Sequence, residues 1–174
     1  FYKTLIMKTL LQINVVVNSG STGRIAEEIG NLAISKGWKS YIAYGRGTPH
    51  SNSTLIKIGN GWDVKLHGIE SRLFDNHGLA SKRATMNFIN EIEKIKPDII
   101  HLHNIHGYYL NYKMLFNYLS HLDVPIVWTL HDCWPITGHC SHFMFAKCDK
   151  WKVLCSQKKK KKDYPSSLLF DRSV

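Results

Sequence analysis

Apolar residues fall into two rhythms along this chain. Lys8 to Val17 is a nearly unbroken, β-branched apolar run with no helical period, which predicts a buried parallel strand. Lys39 to Tyr44, Ser53 to Ile58, Asp98 to His103 and Pro125 to His131 predict four more strands. Between them the apolar positions recur every three or four residues. Ile25, Ile29, Leu32 and Ala33 predict an amphipathic helix ending near Gly37. Trp62, Leu66, Ile69 and Leu73 predict a second helix, broken from the next at His77 to Ser81. Phe88, Ile92 and Ile95 mark the third, which must stop before Pro97. Met114, Leu115, Tyr118 and Leu119 give Tyr112 to His121 one apolar face, a fourth helix.

The predicted order is therefore β-α-β-β-α-α-β-α-β. Strands alternating with helices argue for an α/β fold, a Rossmann-like, doubly wound and mostly parallel sheet. After Asp132 the periodicity is lost, although Trp134, Phe143, Phe145 and Trp151 argue against disorder there. The expected division is a Rossmann-like unit over 7–132 and a Cys-, Trp- and Lys-rich extension of the same domain over 133–174.

Composition narrows the class. The chain has 174 residues, enough for one cored domain, and 44% of them are hydrophobic. No run approaches the roughly 18 apolar residues of a membrane span. Met7-Lys8 reads as a natural start, and the six residues before it are too short for a secretory signal. A cytoplasmic protein is expected. The formal charge is +10, and +5 without the Lys158 to Lys162 run. That bias suits phosphate-bearing substrates or the surface of an anionic membrane. The run itself also reads as a solvated loop.

The chemistry gathers late in the chain. Seven of the ten histidines lie between positions 98 and 142. They follow two predicted strands, at the edge where open α/β sheets bind ligands. His101 and His103, two apart at a strand end, share one face. A metal-dependent hydrolase would need carboxylates at other strand ends, and only Asp132 is so placed. No metal is expected at this edge. The four cysteines, Cys133, Cys140, Cys148 and Cys155, lack the close pairs of tight zinc sites, which leaves zinc there the weaker reading. The first loop, Asn18 to Arg24, offers Gly20, Ser21, Thr22 and Gly23 at a helix start, suited to an anion or sugar contact or to a simple capped turn. It is neither a P-loop nor a G-x-G-x-x-G fingerprint, and no acidic residue follows at ribose distance. No cofactor is expected.

The strand LLQINVVV, the loop NSGSTGRI, the segment from Pro97 to Asn104 (PDIIHLHN) and the segment from Val127 to Asp132 (VWTLHD) together resemble the N-terminal half of GT4-type glycosyltransferases, which have the GT-B fold. The nearest look is to bacterial polysaccharide-biosynthesis members. The resemblance runs from Met7 to about Asp171. It implies two Rossmann-like domains facing across a cleft, this one mainly receiving the acceptor and a second one holding the nucleotide-sugar donor. It implies sugar transfer with retained configuration and no bound metal.

By the same resemblance, His131 lies by the donor sugar as the catalytic-site histidine, and Gly20 to Gly23 lie near the donor phosphates. His103, Asn104 and His106 border the acceptor. Arg24 and Arg46 are candidate phosphate contacts. Members of this subgroup look as if they continue Cys155-x-x-Cys-Pro, whereas Lys158 and Lys159 stand here, which removes a close cysteine pair. A parent enzyme would be about twice as long, so this chain alone is expected to be inactive or nearly so. The expected partners are a nucleotide-sugar donor, a glycan or lipid-linked acceptor and the inner face of an anionic membrane, with no nucleic acid. The alternative is a non-catalytic module that binds an anionic or lipid-linked glycan.

Overall fold

The structure is a computed structural model, and it describes residues 7–137, 141 and 144. Five strands form one sheet: β1 (Thr9–Asn14), β2 (Lys39–Tyr44), β3 (Thr54–Lys57), β4 (Ile99–Leu102) and β5 (Ile126–Trp128). The helices are α1 (Gly20–Ser35), α2 (Gly61–Phe74), α3 (Lys82–Ile95), α4 (Tyr112–Leu119) and a single turn, α5 (Trp134–Thr137). The sheet order is β3-β2-β1-β4-β5, and every pairing is parallel. This is the Rossmann-like, doubly wound α/β architecture that the alternation of periods predicts.

The two faces of the sheet differ in chemistry. On β1, Leu11 and Ile13 share one face, where they and Val15 just beyond the strand join Ile100, Leu102, Phe88, Ile92, Leu115 and Leu119 in the main core beneath α3 and α4. Fully burying a side chain of this size is worth roughly 1.5–3 kcal/mol. The opposite face, under α1, holds a smaller cluster of Val17, Ala26, Ile42 and Tyr44. Polar groups complete it. Ser40 and Ser53 bond to each other at 2.8 Å, and Gln12, fully buried, lies at the middle of β1. Gly30 lets α1 come close here, since a Cβ would sit 2.4 Å from the Ser53 hydroxyl.

Two predicted strands prove shorter than their apolar runs. Val15 to Val17 bend away beyond the strand, and the Val15 carbonyl accepts the N–H groups of Gly45 and Arg46. β5 ends at Trp128, and its Ile126 and Val127 remain exposed along the edge of the described sheet. The expected irregular stretch after Asp132 opens with α5, whose Trp134 is buried in the main core.

Candidate functional site

Parallel strands send all their carboxyl ends to one edge. β1 and β4 are adjacent there, and the chain leaves β1 for β2 on one side and reaches β4 on the other. That reversal is the crevice where such sheets take ligands. The turn after β1, the loop 103–111 after β4 and the segment 129–133 after β5 meet at this edge.

Loop packing brings the pieces together. His103 N–H continues the sheet ladder by donating to Ile13 O at 2.9 Å. Asn14 Oδ1 accepts Asn104 N–H at 3.3 Å, and Tyr109 Oη donates to Asn104 O at 2.9 Å. Gly45 lies flat on the Tyr109 ring, and any Cβ there would be 2.3 Å from Tyr109 Cβ. Gly107 adopts φ +119°, and a Cβ on it would meet Val15 at 2.8 Å and Arg46 Nη2 at 3.0 Å. Arg46 thus lies beside the 103–111 loop. Burial raises the hydroxyl pKa values of Tyr108 and Tyr109, and the Arg46 charge opposes that shift.

Five histidines of the edge form two groups. In the first, His103 is 1% exposed and both its ring nitrogens are engaged. Its Nε2 lies 3.0 Å from Gln12 Oε1, and its Nδ1 lies 2.9 Å from His131 Nε2. Its carbonyl accepts Trp128 Nε1–H at 3.0 Å. Burial first, then the neighbouring His101 and His131, lower the His103 pKa to about 3, so the ring stays neutral. The His101 ring packs at 4.2 Å from His103, on the same face as the H-x-H spacing predicts, and its Nε2 reaches Thr129 Oγ1 at 2.8 Å.

In the second group, His106 Nε2 pairs with Asp132 Oδ2 at 2.8 Å. The other carboxylate oxygen accepts Trp134 N–H at 2.9 Å, and the His106 ring stacks on the Trp134 indole. Trp134 Nε1–H in turn donates to His77 Nδ1 at 3.0 Å. One carboxylate therefore ties the β4 loop, the β5 loop and α5 together.

The residues singled out from the sequence occupy distinct layers of this edge. His131 and His106 are partly buried, and Asn104, in the β4 loop, is held against the end of β1 by Asn14. His103 sits beneath them, with its two ring nitrogens bonded to His131 and Gln12. Gly20, Ser21, Thr22 and Gly23 form the first turn of α1 instead of a preceding loop, with Ser19 at the cap position making no side-chain bond. The first N–H groups of a helix lack partners within it, which leaves this turn an anion-facing end. Gly23 is turned inward, where a Cβ would press on the backbone of Val17 and Asn18. Arg24 folds back and donates from Nε to Gly20 O at 3.1 Å, and Arg46 is exposed.

Among the described residues, no group of three or more His, Cys, Asp or Glu side chains is placed to hold a metal. Cys133 is a free thiol, while Cys140, Cys148, Cys155 and the lysine run lie outside the described residues. The pattern of residues passed over Gln12, Trp134 and His77 as parts of this edge, and marked Asp132 only as a carboxylate at a strand end. One signal was available: Gln12 is the polar break in an apolar strand.

An all-parallel sheet interleaved with helices defines a Rossmann-like α/β domain, and the carboxyl-end edge of this one carries imidazoles, a carboxylate and a helix start. The chain belongs to Glycosyltransferase Family 4, whose pattern matches residues 22–163. It is similar to the protein named "Putative colanic acid biosynthesis glycosyl transferase WcaC" of Escherichia coli (strain K12). The two are 28% identical over 168 residues, which cover 90% of this chain and 40% of that relative. The chain thus spans about two-fifths of the length of the curated relative it matches.

Proposed function

We propose that this chain supplies the acceptor-side half of an enzyme that moves a sugar from a nucleotide-sugar donor to a hydroxyl of a polysaccharide or lipid-linked acceptor. The family match supports glycosyl transfer. The observation that carries the finer reading is the shared edge, where partly exposed His131 and His106 and the start of α1 follow the carboxyl ends of β5, β4 and β1. In this reading His131 holds the donor sugar. The first turn of α1 and the guanidinium groups of Arg24 and Arg46 stabilise phosphate charge as the nucleotide leaves. Asn104 and His106 border the acceptor. Residues 7–132 are the acceptor-side unit, and 133–174 extend it.

A contact with the inner face of an anionic membrane belongs to the same proposal. No described helix is long and apolar enough to cross a membrane. However, Trp62, Leu66 and Ile69 form a stripe on α2 that is 72%, 57% and 55% exposed, with Lys65 over the Trp62 ring. An apolar stripe edged by lysine suits an interface of lipid tails and anionic headgroups.

The test is titration of the chain, labelled at histidine, with UDP- and GDP-sugars and with oligosaccharide acceptors, followed by NMR and by a transfer assay. The expected result is sugar-dependent shifts at His131 and acceptor-dependent shifts at His106, with turnover far below that of a complete transferase. An edge that responds to none of these ligands, or a chain that turns over like a complete enzyme, counts against the proposal. Binding of anionic glycans without any nucleotide-sugar response would favour the non-catalytic module.

A further inference from the structure

We propose that Gln12, buried at the centre of β1, acts through His103 to fix which nitrogen of His131 carries its proton, so that His131 presents a bare Nδ1 to its ligand. The inference deepens the reading of His131 as the sugar-facing residue and rests on it for its functional meaning.

The relay of hydrogen bonds starts at a backbone carbonyl. Gln12 Nε2 lies 2.8 Å from Ala26 O. A carbonyl oxygen only accepts, so the nitrogen end of the amide must face it, which settles the orientation by hydrogen-bond logic. The Gln12 oxygen then points the other way, at His103 Nε2, 3.0 Å distant. This oxygen too can only accept, so His103 Nε2 carries a hydrogen.

The His103 ring is 1% exposed and surrounded by two other imidazoles, and it remains neutral. A neutral imidazole with a proton on Nε2 has a lone pair on Nδ1. That lone pair faces His131 Nε2 at 2.9 Å, so His131 Nε2 must donate. In its neutral form His131 then has no proton on Nδ1.

Three hydrogen bonds thus propagate one constraint from Ala26 O in α1, across β1 and β4, to the loop after β5. The result is chemical selectivity. A bare Nδ1 accepts a hydrogen bond from a hydroxyl. It gives nothing to a phosphate oxygen, which is itself an acceptor. His131 is thereby set to recognise a sugar hydroxyl, while the anion is left to the start of α1 and the arginines. Gln12 makes no contact with the ligand in this scheme. It is a positioning residue, and its effect passes through His103.

The test is long-range 1H–15N NMR of the ligand-free 174-residue chain at neutral pH, which reads the protonated nitrogen of each histidine. His103 and His131 are both expected as Nε2–H tautomers. In Gln12→Leu the buried His103 Nε2–H loses its acceptor. The expected result is a ring that re-protonates on Nδ1 and donates to His131, with the bare nitrogen of His131 moving from Nδ1 to Nε2. Gln12→Met serves as a second variant of closer shape, and either needs only a native-like amide spectrum to be read.

Wild-type His103 or His131 found as the Nδ1–H tautomer overturns the proposal without any variant. An unchanged His131 tautomer in a folded Gln12 variant overturns the part assigned to Gln12. Because these measurements use no ligand, they separate cleanly from the sugar-binding reading. Tautomers as expected with no sugar response at His131 would sink that reading and leave the relay standing.

Discussion

His103 Nδ1 lies 2.9 Å from His131 Nε2, and the two rings stack with centroids 5.2 Å apart at 17°. A buried neutral imidazole thus supports a partly buried one at the edge of the sheet. The support depends on His103 staying unprotonated, which makes the fold itself sensitive to acid. Burial, then the charges of His101 and His131, hold His103 down at about 3, and burial holds His67 at about 4 against a raising backbone bond from Asn76. The unfolded chain protonates such groups near 6.5. Below that pH the unfolded state binds more protons than the folded state, so stability is fully present above about 6.5 and is lost as pH falls toward 4 and 3. Each of the two histidines contributes a slope of about 1.4 kcal/mol per pH unit across its window. Urea unfolding at pH 7.5, 6.0 and 5.0 should show a falling midpoint, and a flat profile over that range would contradict the assignment of both rings as neutral.

The parts of this picture that periodicity could reach are those governed by one element at a time. Ile13 and Leu102 announce strands, and Phe88 and Ile92 a helix, because their burial follows the period of their own segment. The convergence of His103, His106 and His131 on one edge follows from parallel strands, so it was legible as well. What the pattern could not reach is pairing between segments. Gln12 and His103 are 91 residues apart, and nothing in either neighbourhood points to the other. The same holds for Asp132, whose two oxygens serve His106 and the Trp134 backbone. A side chain with one free ring nitrogen and one with none look alike in sequence, so the bonds of His103 to Gln12 and His131 were not legible there.

Removing each member of the His103–His131 pair should have unequal costs. His131 is half-buried, so in His131→Ala water can reach the vacated His103 Nδ1, and the loss should stay below about 1 kcal/mol. His103→Ala strands the fully buried Gln12 Oε1 and leaves a cavity, which should cost roughly 2–4 kcal/mol. Equilibrium unfolding of the two variants measures both. Equal costs would mean that the buried Gln12 bond is not maintained.

Asp132 and His106 form a coupled unit on two different loops. His106→Ala and Asp132→Ala should each destabilise the chain, and the double variant should cost less than their sum by about 1 kcal/mol, the range for residues in contact. Asp132→Ala should cost more than His106→Ala, because it also frees the Trp134 N–H. Strict additivity in the cycle would show the 2.8 Å contact to be energetically empty.

Gly45 tests the packing that joins the β2 end to the β4 loop. A methyl group at this position would overlap Tyr109 Cβ at 2.3 Å, and Cβ cannot swing away as a side-chain tip can. Tyr109 is itself 1% exposed, so it has no room to retreat. Gly45→Ala should therefore cost about 1–3 kcal/mol, the usual range for overpacking. The same substitution at Gly47, where a Cβ meets nothing within 4 Å, removes no space and provides the comparison, although its φ of +92° carries a backbone cost of its own. A thermal melt of Gly45→Ala indistinguishable from wild type would mean that Gly45 and Tyr109 are not in contact.

The exposed stripe on α2 gives the proposed membrane contact a direct test. Trp62, Leu66 and Ile69 sit at positions i, i+4 and i+7 and face away from the core, while His67 and Ser71 of the same helix are buried. Apolar groups of this size gain little by facing water and much by entering a headgroup region, at about 25 cal/mol per Å² of apolar area removed from water. Binding to vesicles rich in anionic lipid should therefore exceed binding to zwitterionic vesicles and should weaken with salt. It should be accompanied by a blue shift of tryptophan emission. Trp62→Ser with Leu66→Ser should reduce the partition at least tenfold while leaving the melting temperature nearly unchanged, since neither side chain contributes to the core. Vesicle binding that survives the double substitution would move the contact away from α2, and the lysine run from Lys158 to Lys162 would become the next segment to neutralise.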